Sequence, residues 1–360
     1  MGRTTKVFVN GANGLIGRTA FAAFMHHPIE GVEIVGLNSL RGAKAVDPET
    51  FVLLQKRNSI PQHALAEIEV GEKITIGNQP AQLLIVKGKK IPYFQLPTAK
   101  IPHEELGTDV VLEITPEEGQ AKRVEVQLAK GVKKAILSSP SEKADFEGVY
   151  IYRDQVKPEY KSIDTQTCTT NALIPPVHAI DQAFGTTEVY ALTVHAVTPS
   201  QNLFDGPSGR SRYPIDVLRG LACMERIEPA STGAAKRLPK NIPHLKGRCA
   251  SDALRVPVLD GSIVYPIVCI TKQPATADKV NEVLREFARS KQSDGTVAYN
   301  EEKYPLTSSE VLGRPEASII DPHLTRVIGT NMVIIGAWYD NMYGAPYTMF
   351  KWACYVHQEL

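Results

Sequence analysis

The chain has 360 residues, 43% of them hydrophobic and 22% charged, which predicts a globular protein with two domains. A formal net charge of +1 argues against binding to nucleic acid or another polyanion. No apolar run approaches the roughly 18 residues of a membrane span, and the first residues lack the apolar core of a signal peptide, so we expect a cytoplasmic protein that does not contact membranes.

The first segment predicts the start of a dinucleotide-binding domain. Residues 6–10 form a short β-rich run that leads into GANGLIG, where Gly11, Gly14 and Gly17 are spaced three apart. An amphipathic helix is expected at 19–27. A strand, a glycine turn and a helix in this order place a dinucleotide pyrophosphate at the helix N-terminus.

The end of the second predicted strand, 32–38, bears on the choice of cofactor. A domain that binds NAD carries an acidic residue here, which holds the ribose 2′-hydroxyl. This strand instead ends in Asn38, followed by Ser39 and Arg41. Because a guanidinium pairs with a 2′-phosphate, we expect NADP to be slightly preferred over NAD. The alternative is that Arg41 is a solvated loop residue.

The rest of the first half alternates between strand and helix patterns. Strands are predicted within 68–91, at 108–114 and at 134–138, and a helix is predicted at 117–130. This alternation indicates a doubly wound domain with a largely parallel sheet.

A polar stretch, SIDTQTCTTN at 162–171, surrounds a single cysteine, Cys168. The apolar run after it predicts a helix. If Cys168 stands in the first turn of that helix, free backbone N–H groups and the helix dipole favour its thiolate and a nearby oxyanion. The alternative is a polar turn with a packed cysteine. The remaining cysteines show no metal spacing and are expected to be free thiols: Cys223, Cys249, Cys269 and Cys354.

The patterns in the second half predict strands, loops and a few helices. A strand at 188–197 carries His195 near its end, and a Gly-, Pro- and Arg-rich segment at 205–220 is expected to be a long loop. The other predicted elements are two β runs within 253–271, a helix at 277–291, a strand at 332–339 and an apolar C-terminal helix.

Cys168 and His195 form a candidate catalytic pair, since an imidazole next to a thiol lowers the thiol pKa and handles protons. The pair alone does not separate a protease from an aldehyde-oxidising enzyme. The nucleotide-binding start favours the second. In that chemistry the thiolate attacks an aldehyde, a nicotinamide removes a hydride, and the acyl thioester passes to a second nucleophile.

The motifs that carry a family resemblance extend over nearly the whole chain. They are NGANGLIGR at 10–18, SIDTQTCTTN at 162–171, TVHAVTPSQ at 193–201, DGPS at 205–208, PASTGAAK at 229–236, LRVPV at 254–258 and WYDNMYG at 338–344. With these motifs the chain resembles a divergent glyceraldehyde-3-phosphate dehydrogenase.

The resemblance implies a fold, a domain division and an assembly. The fold is a Rossmann dinucleotide-binding domain followed by an α+β catalytic domain with a mixed or antiparallel sheet. We expect the first domain to span 1–167 and to be completed by a C-terminal helix at 343–360. The catalytic domain then spans 168–342, and the assembly is a homotetramer.

The resemblance also assigns roles to residues. Cys168 is the nucleophile and His195 its partner base. The residues that hold the substrate phosphate and inorganic phosphate are Thr167, Thr198, Thr232, Gly233 and Arg255, with Thr169 added from the polar run. The residues expected to hold the cofactor, besides Asn38, Ser39 and Arg41, are Gly11, Gly14, Leu15, Ile16, Gly17, Thr115, Ser138 and Asn341. One further phosphate-binding arginine is left open among Arg210, Arg212 and Arg219. No metal is implied.

The function expected from this resemblance is that of a phosphorylating aldehyde dehydrogenase. Its partners would be a small phosphorylated or otherwise anionic aldehyde and inorganic phosphate. One alternative is a dehydrogenase for a different anionic aldehyde or semialdehyde. Another, of a different class, is a nucleotide-binding or regulatory protein that keeps the fold without turnover.

Overall fold

The computed structural model describes residues 3–39, 46–208, 214–270 and 274–359. The chain divides into two compact units, Met1–Thr167 with Ala345–Leu360, and Cys168–Gly344. Among the described helices, none has the length and apolarity needed to cross a membrane.

The first unit is built on one sheet with helices around it. Its strands are β1 Thr5–Asn10, β2 Val32–Asn38, β3 Ile68–Ile76, β4 Gln79–Val86, β5 Lys89–Phe94, β6 Val110–Glu113, β7 Lys134–Leu137, β8 Phe146–Glu147 and β9 Ser162–Asp164. Its helices up to this point are α1 Leu15–His26, α2 Pro48–Lys56, α3 His103–Leu106 and α4 Gln120–Leu128.

The strand order in this sheet is β3-β4-β5-β2-β1-β6-β7-β9-β8 among the described residues. The strands from β5 to β8 are parallel, and β3 and β4 add an antiparallel edge. The predicted doubly wound Rossmann fold is confirmed. In this register Asn10 pairs with Asn38 and with Glu113, so the carboxyl ends of three central strands meet at one edge.

The second unit begins with a long helix and contains a seven-stranded sheet among its described residues. Its helices are α5 Cys168–Phe184, α6 Ala234–Asn241 and α7 Ala277–Ala288. Its strands are β10 Thr186–His195, β11 Glu228–Ala230, β12 Cys249–Arg255, β13 Ser262–Ile270, β14 Val297–Tyr299, β15 Ser318–Ile328 and β16 Met332–Tyr339.

The order of this second sheet is β11-β12-β10-β13-β16-β15-β14, and most neighbours are antiparallel. The exceptions are β10 with β12 and β14 with β15. This mixed sheet matches the predicted α+β class. The segment 205–220, expected to be a loop throughout, contains a 3₁₀ helix at Pro214–Gly220, and Gly209–Tyr213 lie outside the described residues.

The chain ends in α8, Gly344–Gln358, and from Ala345 onward this helix belongs to the first unit. Its aromatic side chains pack into that unit's core. Phe350 stacks on Phe24 with ring centroids 4.6 Å apart, and the fully buried Trp352 meets Tyr150 edge-on at 5.3 Å. Burying such rings contributes roughly 2–3 kcal/mol each, which fixes the helix on the sheet.

Candidate active site

Cys168 is the first residue of α5, so it stands in the first turn of the helix that the apolar run predicts. The turn before it is tight, since Gln166 has a φ of 68° and its N–H donates to Asp164 Oδ1 at 2.7 Å. The N–H of Thr169 is directed at the sulfur of Cys168. The cysteine therefore stands where helix N–H groups lack partners within the helix.

His195 is the last residue of β10 and brings its ring to the cysteine. Its Nε2 lies 3.7 Å from Cys168 Sγ, and its Nδ1 lies 2.7 Å from the carbonyl oxygen of Ala196. The carbonyl oxygen of Ala196 only accepts, which favours a proton on Nδ1, whereas Arg255 Nη1, 2.5 Å from the same nitrogen, only donates. In the tautomer that carries its proton on Nδ1, the ring donates to Ala196. Nε2 is then free to accept the proton of the thiol.

The electrostatics of the pair differ from what the helix N-terminus alone predicts. Burial raises the pKa of Cys168 above its ordinary value, although Arg255 and the donors of Thr169 act in the opposite direction. Burial and the Arg255 cation lower the pKa of His195 to about 3. Since desolvation disfavours both charged forms, the resting pair is a neutral thiol beside a neutral imidazole.

Tyr339, at the end of β16, contacts the residues that hold the pair. Its role was not predicted from the sequence. Its hydroxyl lies 3.0 Å from the hydroxyl of Thr169 and 2.9 Å from that of Thr193. Its ring meets His195 edge-on with centroids 5.9 Å apart. The Thr169 side chain is therefore engaged in positioning this cluster. Tyr339 lies within the motif at 338–344, but the sequence assigned it no role.

Hydroxyl and guanidinium groups next to the pair are connected by hydrogen bonds. The Thr198 hydroxyl lies 2.9 Å from that of Ser200, and Arg219 Nη1 donates to the Ser200 hydroxyl at 2.8 Å. Arg255, opposite His195 in the strand register, donates from Nη1 to the carbonyl of Ala196 at 3.0 Å. Two arginines and two hydroxyls thus gather at one place, which is the donor set that a phosphate or carboxylate requires.

Of the three arginines left open, the structure places Arg219 in this group. Arg219 is buried, and the Arg219 cation is among the charges that lower the pKa of both His195 and Arg255. Arg210 and Arg212 lie outside the described residues. No pattern in the sequence separates the three arginines, because the distinction depends on how the chain folds back at Pro214–Gly220.

Thr232 and Gly233 form the turn into α6. The Thr232 hydroxyl accepts from the N–H of Ala234 at 3.3 Å, and a Cβ on Gly233 would meet no atom within 4 Å. The turn is tied down by Ser231, whose hydroxyl donates to Asp216 Oδ1 at 2.9 Å. Open space beside a helix N-terminus suits an anion. Thr167, the last residue of the first unit, directly precedes Cys168 in the chain.

Asn341 follows β16 and its side chain is oriented by Ser262. The Ser262 hydroxyl donates to Asn341 Oδ1 at 2.7 Å and accepts from the N–H of Ala196 at 3.0 Å. This contact fixes which way the amide faces, so its NH₂ group is available to a ligand carbonyl. Ser262 thus links the backbone next to His195 to the side-chain amide of Asn341.

Two buried carboxyl groups hold the turn that carries Asn341. Asp260 and Asp340 bring carboxylate oxygens within 4.8 Å of each other, and Asp340 accepts from the N–H groups of Met342 and Gly313 at 2.9 and 2.8 Å. Burial and the neighbouring Asp340 raise the pKa of Asp260 to about 9. Asp260 is therefore protonated at neutral pH and donates to Asp340.

This protonated carboxyl predicts a pH-dependent stability. The folded-state pKa of about 9 lies above the ordinary aspartate value of about 3.9, so the folded chain keeps a proton that the unfolded chain loses between these pH values. The favourable contribution is complete below pH ~4 and is lost as the pH rises to about 9. We expect Asp260→Asn, which keeps a donor and does not ionise, to raise the melting temperature more at pH 8 than at pH 5, by at least about 3 °C.

The measurement is thermal unfolding across pH 5–9 for wild type, Asp260→Asn and the exposed control Asp278→Asn. The control should follow the wild-type pH dependence. A difference between wild type and Asp260→Asn that stays constant with pH would show that Asp260 is ionised in the folded chain.

The glycine turn of the first unit has the geometry of a pyrophosphate-binding turn. Gly11 has a φ of 96°, and a Cβ there would lie 2.7 Å from the backbone of Ile114. A Cβ on Gly17 would lie 2.2 Å from the carbonyl oxygen of Gly11, so α1 packs closely on the turn. Gly14 is exposed at the N-cap and no side chain caps the helix. The N–H groups at Leu15 and Ile16 begin α1 without a competing cap, which fits a bound diphosphate.

A buried polar network lies at the carboxyl ends of the central strands, and sequence reasoning did not find it. Asn38 Nδ2 donates to Asn10 Oδ1 at 2.9 Å, and Asn10 Nδ2 donates to Glu113 Oε2 at 2.8 Å. Asn38 also bonds both the carbonyl oxygen and the N–H of Leu96, at 3.1 and 3.0 Å. The Asn38 side chain is thus committed to holding the loop after β5, a role that only the folded register reveals.

Thr115 belongs to the same network. Its hydroxyl donates to Glu113 and accepts from Arg123 Nε at 2.6 Å. Ser39 is buried, and its hydroxyl accepts from the N–H of Val46 at 3.0 Å. Ser138 is half-buried at the end of β7. All three thus lie at the predicted edge of the sheet. Arg41, on which the NADP preference depends, lies outside the described residues.

Comparison with known families supports the same picture. The family described as glyceraldehyde 3-phosphate dehydrogenase, C-terminal domain, matches residues 167–341. The match begins at the residue before Cys168 and ends at Asn341, so it covers both members of the cysteine–histidine pair.

Several curated relatives match almost the full chain. A glyceraldehyde-3-phosphate dehydrogenase from Kitasatospora aureofaciens is 33% identical over 94% of this chain and 95% of its own length. One from Zymomonas mobilis is 30% identical over 99% of both chains, and one from Thermotoga maritima is 33% identical over 94% of this chain and 95% of its own.

Proposed function

The chain belongs to the glyceraldehyde 3-phosphate dehydrogenase family, and from that premise we propose that it is a phosphorylating, NAD(P)-dependent dehydrogenase of a small anionic aldehyde. The observation that carries the proposal is the pair formed by Cys168 Sγ and His195 Nε2, 3.7 Å apart at the start of α5. A packed structural cysteine would not need a base aimed at it. The pair also favours turnover over a purely regulatory role.

In the first step the sulfur of Cys168 attacks the carbonyl carbon, and Nε2 of His195 takes the thiol proton. A C–S bond forms, the carbonyl π bond breaks, and the oxygen becomes the oxyanion of a thiohemiacetal. The dipole and the N–H groups in the first turn of α5 stabilise that charge. Because both partners start neutral, the histidine acts as a general base at the moment of attack.

In the second step the oxyanion of the thiohemiacetal re-forms the carbonyl as the carbon loses a hydride, which gives an acyl thioester. A nicotinamide held in the cofactor site would accept that hydride. Inorganic phosphate then attacks the thioester carbon, so that a C–O bond forms as the C–S bond breaks. Cys168 leaves as the thiolate and takes a proton back from His195. We assign Thr167, Thr232 and Gly233 to the attacking phosphate, since open space lies at the α6 N-terminus.

The anionic group of the aldehyde is assigned to Thr198 and Arg255, with Arg219 and Ser200 beside them. The arginines supply charge and the hydroxyls supply directed donors. An anion held here is within reach of the residues that flank His195, because Arg255 bonds the carbonyl of Ala196.

The cofactor is assigned to the glycine turn Gly11–Gly17 and to the sheet edge at Ser39, Thr115 and Ser138. Asn341 is assigned to the nicotinamide carboxamide, since Ser262 leaves its NH₂ group free to donate. A slight preference for NADP rests on the absence of an acidic residue at Ser39 and on Arg41 in the sequence. Parallel titrations with NADP and NAD measure that preference, and tighter binding of NAD would contradict it.

The proposed reaction predicts a rate that depends on inorganic phosphate. Reduction of NADP or NAD at 340 nm is followed with glyceraldehyde 3-phosphate and with semialdehydes, with phosphate present or replaced by a sulfonate buffer. We expect phosphate to raise the steady-state rate at least about tenfold, because without it the thioester is relieved only by slow hydrolysis. A rate unaffected by phosphate for every aldehyde would refute a phosphorylating enzyme.

The second candidate is a dehydrogenase for a different anionic aldehyde or semialdehyde. The donor set around Arg255 and Thr198 selects a negative charge, but it suits a carboxylate as well as a phosphate. The same screen separates the candidates, because the aldehyde with the highest kcat/KM identifies the anionic group.

The proposed assembly is a homotetramer. In support, exposed large apolar side chains of the described residues concentrate in one segment of the second unit: Leu203, Phe204, Ile215, Val217, Met224 and Ile227. An apolar surface of this kind is typical of an interface between copies. Sedimentation equilibrium tests it, and a single-chain mass at micromolar concentration would contradict it.

A further inference from the structure

A buried carboxylate stands among the anion-binding residues of the second unit. Glu228 opens β11, where it pairs in register with Arg255 on β12. Only 2% of its surface is exposed, and neither carboxylate oxygen has a short, well-aligned hydrogen bond among the described residues, although the Gln201 side chain lies close to it. Burying a carboxylate in this way is costly, so its presence indicates a function beyond packing.

The neighbours of Glu228 include the two arginines assigned above to the anion. Burial raises the pKa of Glu228, whereas Gln201 and the charges of Arg219, Arg255 and Arg226 act in the opposite direction, so these groups lie near the carboxyl group. Arg255 is its direct partner in the strand register. Some of their donors also lack partners within the described chain, namely Gln201 Nε2 and Arg255 Nε. Unsatisfied donors and a carboxylate thus surround the same position, as expected of a site completed by a ligand.

Glu228 differs from a carboxylate that merely neutralises an arginine. That structural role belongs to Asp216, which lies 3.3 Å from Arg219 Nε and also accepts from Ser231 at 2.9 Å. Glu228 makes no comparable ion pair among the described residues, although it lies beside two guanidinium groups. Its charge therefore acts on whatever occupies the site between them.

The formal charges of this group set what it can bind. Among the described residues, Arg219 and Arg255 contribute two positive charges, and Asp216 and Glu228 contribute two negative charges when ionised. Arg226 also acts on Glu228, but Asp205, 3.9 Å away, offsets its charge. The first four charges cancel, whereas a site for a phosphate dianion requires an excess of positive charge. A monoanion still gains directed bonds from the arginines, and it meets half the repulsion from Glu228 that a dianion meets.

We propose that Glu228 is a specificity-determining residue that makes this site favour aldehydes with a singly charged group, such as a carboxylate, over those with a phosphate dianion. This inference rests on the proposed function and names the substrate class for it. It favours a short semialdehyde carrying a carboxylate over a sugar phosphate.

The test is the isosteric substitution Glu228→Gln, which keeps the shape and removes the charge. We measure kcat/KM at pH 8 for glyceraldehyde 3-phosphate, whose phosphate is then dianionic, and for succinate semialdehyde, a monoanion. In the variant, the ratio of kcat/KM for glyceraldehyde 3-phosphate to kcat/KM for succinate semialdehyde should be about tenfold higher than in wild type. The matched control is Glu225→Gln, an exposed glutamate three residues earlier, which should leave the ratio unchanged.

A second measurement keeps the inference separate from the proposed reaction. Calorimetric titration with the unreactive alcohols glycerol phosphate and glycerate compares a dianion with a monoanion without turnover. We expect Glu228→Gln to lower the Kd of glycerol phosphate about tenfold relative to the Kd of glycerate. Unchanged ratios in the binding assay overturn the inference even if the enzyme oxidises aldehydes. Absence of any aldehyde oxidation refutes the proposed function, while the binding ratios still decide the role of Glu228.

Discussion

Replacing Cys168 by serine is expected to lower kcat/KM for every aldehyde by at least about 10⁴-fold. A serine hydroxyl is far less acidic than a thiol, and the neutral His195 beside it is a weak base, with a pKa lowered to about 3 by burial and Arg255. Proton transfer to this imidazole is therefore far more uphill from an alcohol than from a thiol. The reaction should therefore stop before the covalent intermediate.

The measurement combines steady-state rates with single-turnover trapping of the acyl enzyme by mass spectrometry. Wild type should carry one acyl group on the peptide that contains Cys168, and Cys168→Ser should carry none. The control is Cys249→Ser, a half-buried thiol on β12, which should keep the wild-type rate. A Cys168→Ser variant within tenfold of wild type would show that the carbonyl is not attacked at this position.

Much of the fold could be predicted because local patterns agree with it. The strand at 6–10, the glycine turn and the following helix indicated the Rossmann unit, and the structure confirms it with β1 at Thr5–Asn10 and α1 at Leu15–His26. The strand β15, Ser318–Ile328, was missed because its sequence, SIIDPHLTRVI, carries a proline and charged residues instead of a regular alternation.

The site could be predicted only where a motif marks a residue. Cys168 stands out as a lone thiol in a polar run, but its supports come from far along the chain. Thr169 and Tyr339 meet across 170 positions, and Asp260 pairs with Asp340 only because the ends of separate strands converge. The pKa of Cys168 was also misjudged, since the sequence shows the helix N-terminus and not the burial that outweighs it. Such effects follow from tertiary packing, which no local spacing encodes.

Replacing His195 by asparagine is expected to lower kcat/KM by about 10²–10⁴-fold at pH 7. The asparagine fills part of the same space but removes the base that takes the thiol proton. Burial raises the pKa of Cys168, so without the imidazole only a small fraction of the thiol is ionised at this pH. His244→Asn, at a largely exposed histidine, is the control and should keep the wild-type rate.

The pH dependence distinguishes loss of a base from loss of structure. In wild type the imidazole is neutral throughout pH 6–9, because its pKa is near 3, and it remains available as a base across that range. In His195→Asn the rate should follow the thiolate and rise toward tenfold per pH unit, with a midpoint above the ordinary thiol value of about 8.5. The deficit of the variant therefore shrinks as the pH rises, both in kcat/KM and in alkylation of Cys168 by iodoacetamide. A deficit that stays constant from pH 6 to pH 9 would mean that His195 supports the site without moving the proton.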